Sequence, residues 1–455
     1  MSPEGDRPAT DPFEALRALP LGTHVALLAP DGHRVEGWLL PPDSLSSPRV
    51  VKLKVASGYN LGIRIDPRST FELLPGPPWG EERTGPSPAP PSSPGTARGS
   101  PSPGTVALLT TGGTIASKID YVTGGVHPVK DPQNLESLYP GIGQGGALEV
   151  RAVAEILSED MSPEVWSLLA KEVVQEFQHG VRGVVVAQGT DTLAYTSAAL
   201  AFALRDLPGP VVLVGAQRSI DRPSSDGVAN IIGAVRVARE ADLGEVVVVM
   251  HAGPSDDVLA IHRGTRVRKM HSTRRDAFHT LNGPPLGRVD AKGIHLHPSH
   301  HHRHAGPARA EPEFGKEGTL LWFHPGLSPE DAEAQVARSR GVIVAGTGMG
   351  HVATIHLPWI QRATERGVVV GMTTQCQEGE VDPFVYSRGR ELLRAGVAYL
   401  GDISPETAYV KLLWALGRSR DPAAVRELLL REVAGEYAAT RGLLLEGDAA
   451  PKGSP

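Results

Sequence analysis

Three threonines and two glycines follow directly on an apolar run in TVALLTTGGTIAS, from Thr105 to Ser117, and Tyr121 comes shortly after. Thr110, Thr111 and Thr114 each carry a hydroxyl that a neighbouring base can turn into a nucleophile, and Tyr121 is a candidate base close by in sequence. Threonines at turns also bond their local backbone, and this stretch alone favours that ordinary role. A second stretch shifts the balance. GVVVAQGTDTL leaves another apolar run through Gln188, Gly189, Thr190, Asp191 and Thr192, so a second hydroxyl stands beside a carboxylate. A carboxylate buried at such a place needs a partner. A lysine sharing a proton with Thr190 and Asp191 would complete a relay, because lysine changes its pKa readily when buried. Lys171 falls on a polar helix face and is expected to be solvated. Lys269, in HRGTRVRKMHSTRRDAF, follows a valine-rich strand and is the better candidate. A glycine turn after a strand often cradles phosphate, but neither Gly-Lys-Ser/Thr nor GxGxxG is present, which leaves hydroxyl chemistry.

Strands and turns must bring these groups together. After Thr105, β-branched runs alternate with amphipathic stretches: TVALLT, a helix near Pro163–His179, GVVVAQ, a helix near Leu193–Leu204, PVVLVGA, a helix near Gly227–Glu240, then EVVVVM. Nearly continuous valine runs between helices predict a parallel sheet covered on both faces. Ligands bind such a sheet beyond the carboxyl ends of its strands, where TTGGT and QGTDT both fall. A second α/β unit is expected from Gly318, with TLLWFH, GVIVAG and GVVVGM as strands. Its helices are placed near Pro329–Ser339, Pro358–Arg366, Arg388–Ala395, Pro405–Leu416 and Pro422–Gly435.

Ahead of these units, Gly22–Leu74 alternates short apolar runs with turns such as Pro30-Asp31-Gly32, and Val50–Val55 reads as a half-buried strand. A small antiparallel β-barrel is expected there, with a docking or structural role. The stretch from Pro75 to Gly104 is rich in proline, glycine and serine and reads as a spacer. Between the α/β units, HLHPSHHHRHAGP holds consecutive histidines among prolines and glycines; adventitious metal affinity on a loop is expected there, and no metal site is assigned. The expected organisation is therefore a β-barrel domain over 1–75, a linker over 76–104, an α/β domain over 105–300, a His- and Pro-rich loop over 301–317, a second α/β domain over 318–440 and a disordered tail over 441–455.

The bulk numbers agree with a chain of two or three domains. At 455 residues the chain exceeds one compact core, and a 40% hydrophobic content is ordinary for a globular protein. A net charge of −6 does not favour nucleic-acid binding over the whole surface. The single cysteine, Cys376, excludes an internal disulfide framework. With no run of eighteen apolar residues and no basic-then-apolar N-terminal leader, neither a membrane span nor a signal peptide is expected, and a cytoplasmic location is.

Four motifs carry a resemblance. TTGGTIAS, SEDM at Ser158–Met161, QGTDTL and VGAQRSIDRPSSDGVANI together resemble the type I/II L-asparaginase (amidohydrolase) family, in order, from Thr105 to about Leu416. QRSIDRPSSDG, RVRKMHSTRRDAF, TTQCQEGEV and SPETAYVKLLW, with VEGWLLPP and SGYNLGIRI near the N-terminus, resemble one branch of it, the D subunits of archaeal-type glutamyl-tRNA(Gln) amidotransferases. The fold implied is an asparaginase-like two-domain parallel-sheet α/β sandwich behind a small β-barrel domain. Thr114 would attack the side-chain amide carbon of the donor, with Tyr121 helping to take its proton. Thr190, Asp191 and Lys269 would form a second triad that positions substrate and carries protons. Ser158 and Glu159 would hold the donor's α-carboxylate and α-amino group, with Asp191 pairing to that amine, and the N–H groups of Gly113 and Gly189 would face the oxyanion. Asparaginases often carry Gln where Glu159 stands, which leaves the choice of glutamine or asparagine open. The resemblance further implies a homodimer in a heterotetramer with the amidotransferase's E subunit, which would use ATP and Mg²⁺ to activate Glu-tRNA(Gln). This chain shows no P-loop, so no cofactor is expected in it. A free-standing L-asparaginase or glutaminase with an accessory domain is the alternative.

Smaller features have plainer readings. Arg268, Arg274 and Arg275 form a basic cluster that suits a solvated face as well as a partner surface. Cys376 reads as a packed small residue, and His262, His271 and His279 do not recur at metal spacing. The family's habit of dimerising places Glu378 and Glu380 near a neighbouring protomer's site.

Overall fold

The computed structural model describes residues 11–41, 49–55, 60–75, 101–112, 117–119, 126–128, 141–143, 145–218 and 225–438. These form two compact units, one built mainly from the N-terminal hundred residues and one from the rest.

The first unit opens with a short helix, α1 (Pro12–Arg17), capped by the Asp11 carboxylate, which accepts from the Phe13 N–H. Five strands follow: β1 (His24–Leu28), β2 (Arg34–Leu39), β3 (Val50–Lys54), β4 (Asn60–Arg64) and β5 (Thr70–Leu73). They pair antiparallel in the order β4-β3-β2-β1-β5, which makes this a β-rich module as expected. Its small core is Leu16, Val25, Leu27, Leu39, Val51, Leu53 and Ile65. Arg49 ties the helix to the sheet by donating to both Asp11 carboxylate oxygens, at 2.5 and 2.7 Å.

The second unit begins with β6 (Val106–Thr110), fully buried along its length. A short hairpin, β7 (Ser117–Ile119) with β8 (Val126–Pro128), groups with the first unit. The chain continues through β9 (Leu148–Ala152), α2 (Pro163–His179), β10 (Gly183–Ala187), α3 (Leu193–Ala203), β11 (Leu204–Arg205), β12 (Val211–Val214) and α4 (Gly227–Glu240). Next come β13 (Val246–His251), β14 (Leu259–Arg263), β15 (Val267–Lys269), β16 (Phe278–Thr280), β17 (Gly287–Asp290), β18 (Gly293–Leu296) and β19 (Arg309–Ala310). The main sheet runs β18-β17-β14-β13-β12-β10-β6-β9. Strands β9, β6, β10, β12 and β13 are parallel, as the valine runs predict. The structure adds an antiparallel edge, β14, β17 and β18. The second half of this unit is all-parallel: β20 (Gly318–Trp322), α5 (Pro329–Val336), β21 (Gly341–Gly346), α6 (Leu357–Glu365), β22 (Val369–Thr374), α7 (Ser387–Arg394), β23 (Ala398–Tyr399), α8 (Pro405–Arg418) and α9 (Pro422–Leu430), with sheet order β20-β21-β22-β23.

Local sequence explains the helices that matter here. In α2 the buried side chains Trp166, Leu169, Ala170, Val173 and Phe177 recur at helical spacing, and Pro163 starts the helix where its missing N–H costs nothing. α3 is different: nearly all of it is buried and apolar, because it packs against the first half's core through Leu193 and Leu200 and against the second half's through Ala198, Ala199 and Phe202. A helix hydrophobic all round must be enclosed, and these two faces enclose it.

Two expectations need correction. The last helix stops at Leu430 and does not reach Gly435. Lys411 donates to the Leu429 and Arg431 carbonyls, and the Glu436 carboxylate accepts from the Val433 and Ala434 N–H groups, so the backbone groups another helical turn would use are already engaged. Cys376, read as a packed small residue, is instead exposed. The histidine-rich stretch is irregular apart from β19 and is tied down at several points. β19 pairs with β11, the Gly244 N–H donates to the His301 carbonyl at 2.8 Å, and Arg303 donates to the Ala241 and Arg182 carbonyls. Its histidines face separate carboxylates, His302 with Asp242 and His304 with Asp206. Among the described residues, no three His, Cys, Asp or Glu side chains are placed to share a metal ion. No helix among them is long and apolar enough to cross a membrane.

Candidate active site

In the parallel part of the sheet the spatial order is β9-β6-β10-β12-β13, so the chain reverses its direction of growth between β6 and β10. A crevice opens beyond the carboxyl ends at such a reversal. Thr110 pairs in register with Ala187, and the Thr111 N–H donates to the Ala187 carbonyl at 3.1 Å, so the two glycine turns leave the sheet side by side. Gly112 has φ +98°, and a Cβ there would lie 2.5 Å from the Ile156 carbonyl oxygen; both the left-handed backbone and the close approach require glycine.

Thr110 and Thr111 are enclosed, at 0% and 1% exposure. The Thr110 hydroxyl has no partner among the described residues. Enclosure suits a structural role for both threonines, the ordinary one that the turn alone favours. Thr114, Gly113 and Tyr121 lie outside the described residues.

The second turn is well defined. Thr190–Thr192 forms one turn of 3-10 helix leading into α3. Lys269 Nζ donates to Thr190 Oγ1 at 2.8 Å and to Asp191 Oδ1 at 2.7 Å. The residues chosen from sequence, Thr190, Asp191 and Lys269, are therefore brought together by β15, which reaches the site from a distant part of the chain. Lys171 is exposed on α2 and takes no part. One expectation fails. Asp191 is 69% exposed while Lys269 is 14% exposed, so burial does not force the carboxylate to find a cation; the buried ammonium needs the acceptors.

Ser158 meets the same turn from the other side. The Thr192 N–H donates to Ser158 Oγ at 3.1 Å, and Thr192 Oγ1 donates to the Ser158 carbonyl at 2.7 Å. Gln188 Nε2 donates to Thr192 Oγ1 at 3.1 Å. Gly189 is needed for this fit, since a Cβ on it would come 2.8 Å from Ser158 Cβ. Ser158 Oγ is thus held as an acceptor, and it also lies 3.4 Å from Thr192 Oγ1. Glu159, next along the turn Ser158–Asp160, is exposed. Thr192 has no role assigned from sequence, although its hydroxyl joins the two motifs. Asp226 has none either. Its carboxylate accepts from the Gln217 and Arg218 N–H groups and from Asn230 Nδ2, fixing the end of the GAQR segment. The signal is present in SDGVAN, where an Asp precedes a helix. The basic cluster is neutralised: Arg268 pairs with Glu406, Arg274 with Asp276, and Arg275 with Asp256.

Comparison with known proteins places this geometry. Residues 105–302 match the asparaginase N-terminal domain, residues 319–429 the glutaminase/asparaginase C-terminal domain, and residues 21–74 the GatD N-terminal domain. The glutamyl-tRNA(Gln) amidotransferase D subunit of Thermofilum pendens is 41% identical over 417 residues, covering 89% of this chain and 90% of that protein. The D subunit of Pyrococcus horikoshii is 42% identical over 411 residues, covering 89% and 92%. The chain belongs to the GatD family of glutamyl-tRNA(Gln) amidotransferase D subunits. GatD membership accounts for both parts of the chain, the β-rich module and the asparaginase fold. Among solved structures, the thermostable L-asparaginase of Thermococcus kodakarensis superposes with TM-score 0.67 at 32% identity, covering 74% of this chain and 100% of that one. L-asparaginase I of Vibrio cholerae gives TM-score 0.65 at 26% identity over the same shares. This GatD chain thus carries a whole asparaginase fold, and an amidohydrolase or amidotransferase activity goes with it.

Proposed function

We propose that this chain is the amide-hydrolysing component of a tRNA-dependent amidotransferase, releasing ammonia from glutamine or asparagine with a threonine nucleophile. The observation that carries the reading is the Lys269 ammonium shared between the Thr190 hydroxyl and the Asp191 carboxylate at the sheet's reversal point. Such a group holds a hydroxyl in one orientation and gives a proton a defined path. In the first step Thr114 Oγ bonds to the side-chain amide carbon as its proton passes through the Tyr121 hydroxyl to the amide nitrogen. The C–N bond then breaks, the nitrogen leaves as ammonia, and an ester remains on Thr114. Water, oriented by Thr190 with Asp191 and Lys269, attacks the ester; the ester C–O bond breaks, the acid is freed, and a proton of that water passes back to Thr114 Oγ. Gly113 and Gly189 supply N–H groups to the oxyanion, while Ser158, Glu159 and Asp191 hold the donor's charged end. Ammonia passes to the E subunit of the amidotransferase, where ATP and Mg²⁺ activate the glutamyl group of Glu-tRNA(Gln). The chain acts as a homodimer within a heterotetramer in the cytoplasm.

The test is ammonia release from glutamine and from asparagine by the purified chain, alone and with the E subunit and Glu-tRNA(Gln). Weak release that rises with partner and charged tRNA is expected. Strong hydrolysis of asparagine that ignores both would mean a free-standing asparaginase instead.

A further inference from the structure

The strand that carries Lys269 is gripped on its other face by the second α/β half. Side chains alternate along a strand. Val267 and Lys269 face the first half: Val267 is in its core cluster, and Lys269 reaches Thr190 and Asp191. Arg266 and Arg268 face the other way. Arg266 pairs with Asp402 at 2.7 Å, with the two side chains 10% and 9% exposed, and Arg268 pairs with Glu406 at 2.8 Å. Just ahead of the strand, Thr407 Oγ1 donates to the Thr265 carbonyl at 3.1 Å.

These acidic and hydroxyl groups come from a rigid place. Ser404 caps α8 by accepting from the Thr407 N–H, and Pro405 fixes its first turn, so Glu406 and Thr407 are presented on a preset helix end. A side chain that must hold two acceptors at hydrogen-bond distance tolerates little movement of the strand behind it.

We infer that Arg268 and Glu406 are positioning residues for Lys269, through which the second α/β half sets the geometry of the hydrolytic site. The inference rests on the proposed hydrolytic role of Lys269. Neither residue touches substrate. Each acts by fixing β15.

The experiment measures steady-state ammonia release from glutamine by the full chain for the wild type and for Arg268→Met, Glu406→Gln, their double variant and Lys269→Met. Both single clamp variants should lower kcat by about tenfold or more with KM held, since small misplacements are felt in turnover. The double variant should be no worse than either single one, as expected for two halves of one contact. Arg268→Lys, which keeps the charge, should recover part of the loss. A merely structural pair would change the unfolding midpoint and leave kcat in place. Full kcat in Arg268→Met and Glu406→Gln, with Lys269→Met inactive, overturns this inference alone. Full activity in Lys269→Met overturns the reading of the site itself. Should Glu406→Gln fail to fold, Arg268→Met decides, because it removes the same ion pair from the β15 side, and an unchanged kcat would sink the clamp.

Discussion

At Lys269 one ammonium serves two oxygens of different character, a hydroxyl and a carboxylate. Replacing it by methionine keeps the length of the side chain and removes both bonds. Lys269→Met is expected to lower kcat for amide hydrolysis by about a hundredfold or more, the range of a positioned proton-transfer group. Steady-state ammonia release checks this, and near-normal turnover would remove Lys269 from the mechanism. Thr190, Asp191 and Lys269 are legible in the sequence because motif and strand context locate them without knowledge of depth. The depth is not legible. Thr110, Thr111 and Thr114 are equally open as hydroxyl candidates from residue type alone, because a sequence does not show that β6 stays enclosed to its last residue and one beyond. Asp191 reads as buried for the same reason.

Elements are easiest to read where one residue type repeats. The valine runs of β10, β12 and β13 and the helical spacing of α2 reveal type and place together. Strands β14 to β18 are hard to read because none of them repeats one apolar residue type, and only the neighbouring strands make them strands. Two buried histidines sit on the neighbouring strands β13 and β14, His251 and His262. Burial holds the His262 imidazole down to about 3, and burial followed by the nearby Arg275 charge holds His251 down to about 4. His262 Nδ1 lies 2.8 Å from Thr280 Oγ1, which bridges β14 to β16. Both are neutral in the fold at neutral pH, whereas an unfolded histidine takes up its proton near pH 6.5. Their stabilising contribution is therefore complete above about pH 6.5 and is lost as pH falls towards 4 and then 3. Stability should fall by up to about 1.4 kcal/mol per pH unit for each proton taken up on unfolding. Urea unfolding across that range checks it, and His262→Gln should flatten the slope if the histidine is responsible.

At the scale of the whole molecule, a fully buried ion pair ties the end of the described chain to the second α/β half. Lys411 on α8 and Glu436 beyond α9 are both 0% exposed and 2.6 Å apart. Every proton of the ammonium has an acceptor, in Leu429, Arg431 and Glu436. Lys411→Met would strand the carboxylate and is expected to cost about 3–5 kcal/mol, whereas Lys411→Met with Glu436→Leu should cost much less. Denaturant titration of the two variants compares them directly; equal losses would mean that the charges are not what holds the segment. This pair explains why the end of α9 is misleading in the sequence. Arg431, Glu432 and Ala434 in that stretch favour helix, and a long-range contact overrides them.

The same pair has a bearing on proteolysis. The segment from Arg431 to Glu436 keeps no helical ladder of its own, yet its carbonyls and N–H groups are committed to Lys411 and Glu436. An exopeptidase trimming inward from the C-terminus is expected to stall at Glu436–Ala438, where the Ala438 N–H is bound to Asp402 and Tyr437 to the Leu429 carbonyl. Asp402 is also the partner of Arg266, which binds its other carboxylate oxygen. A chain trimmed past Glu436 would also leave the buried Lys411 ammonium without its carboxylate, so it should lose stability as Lys411→Met does.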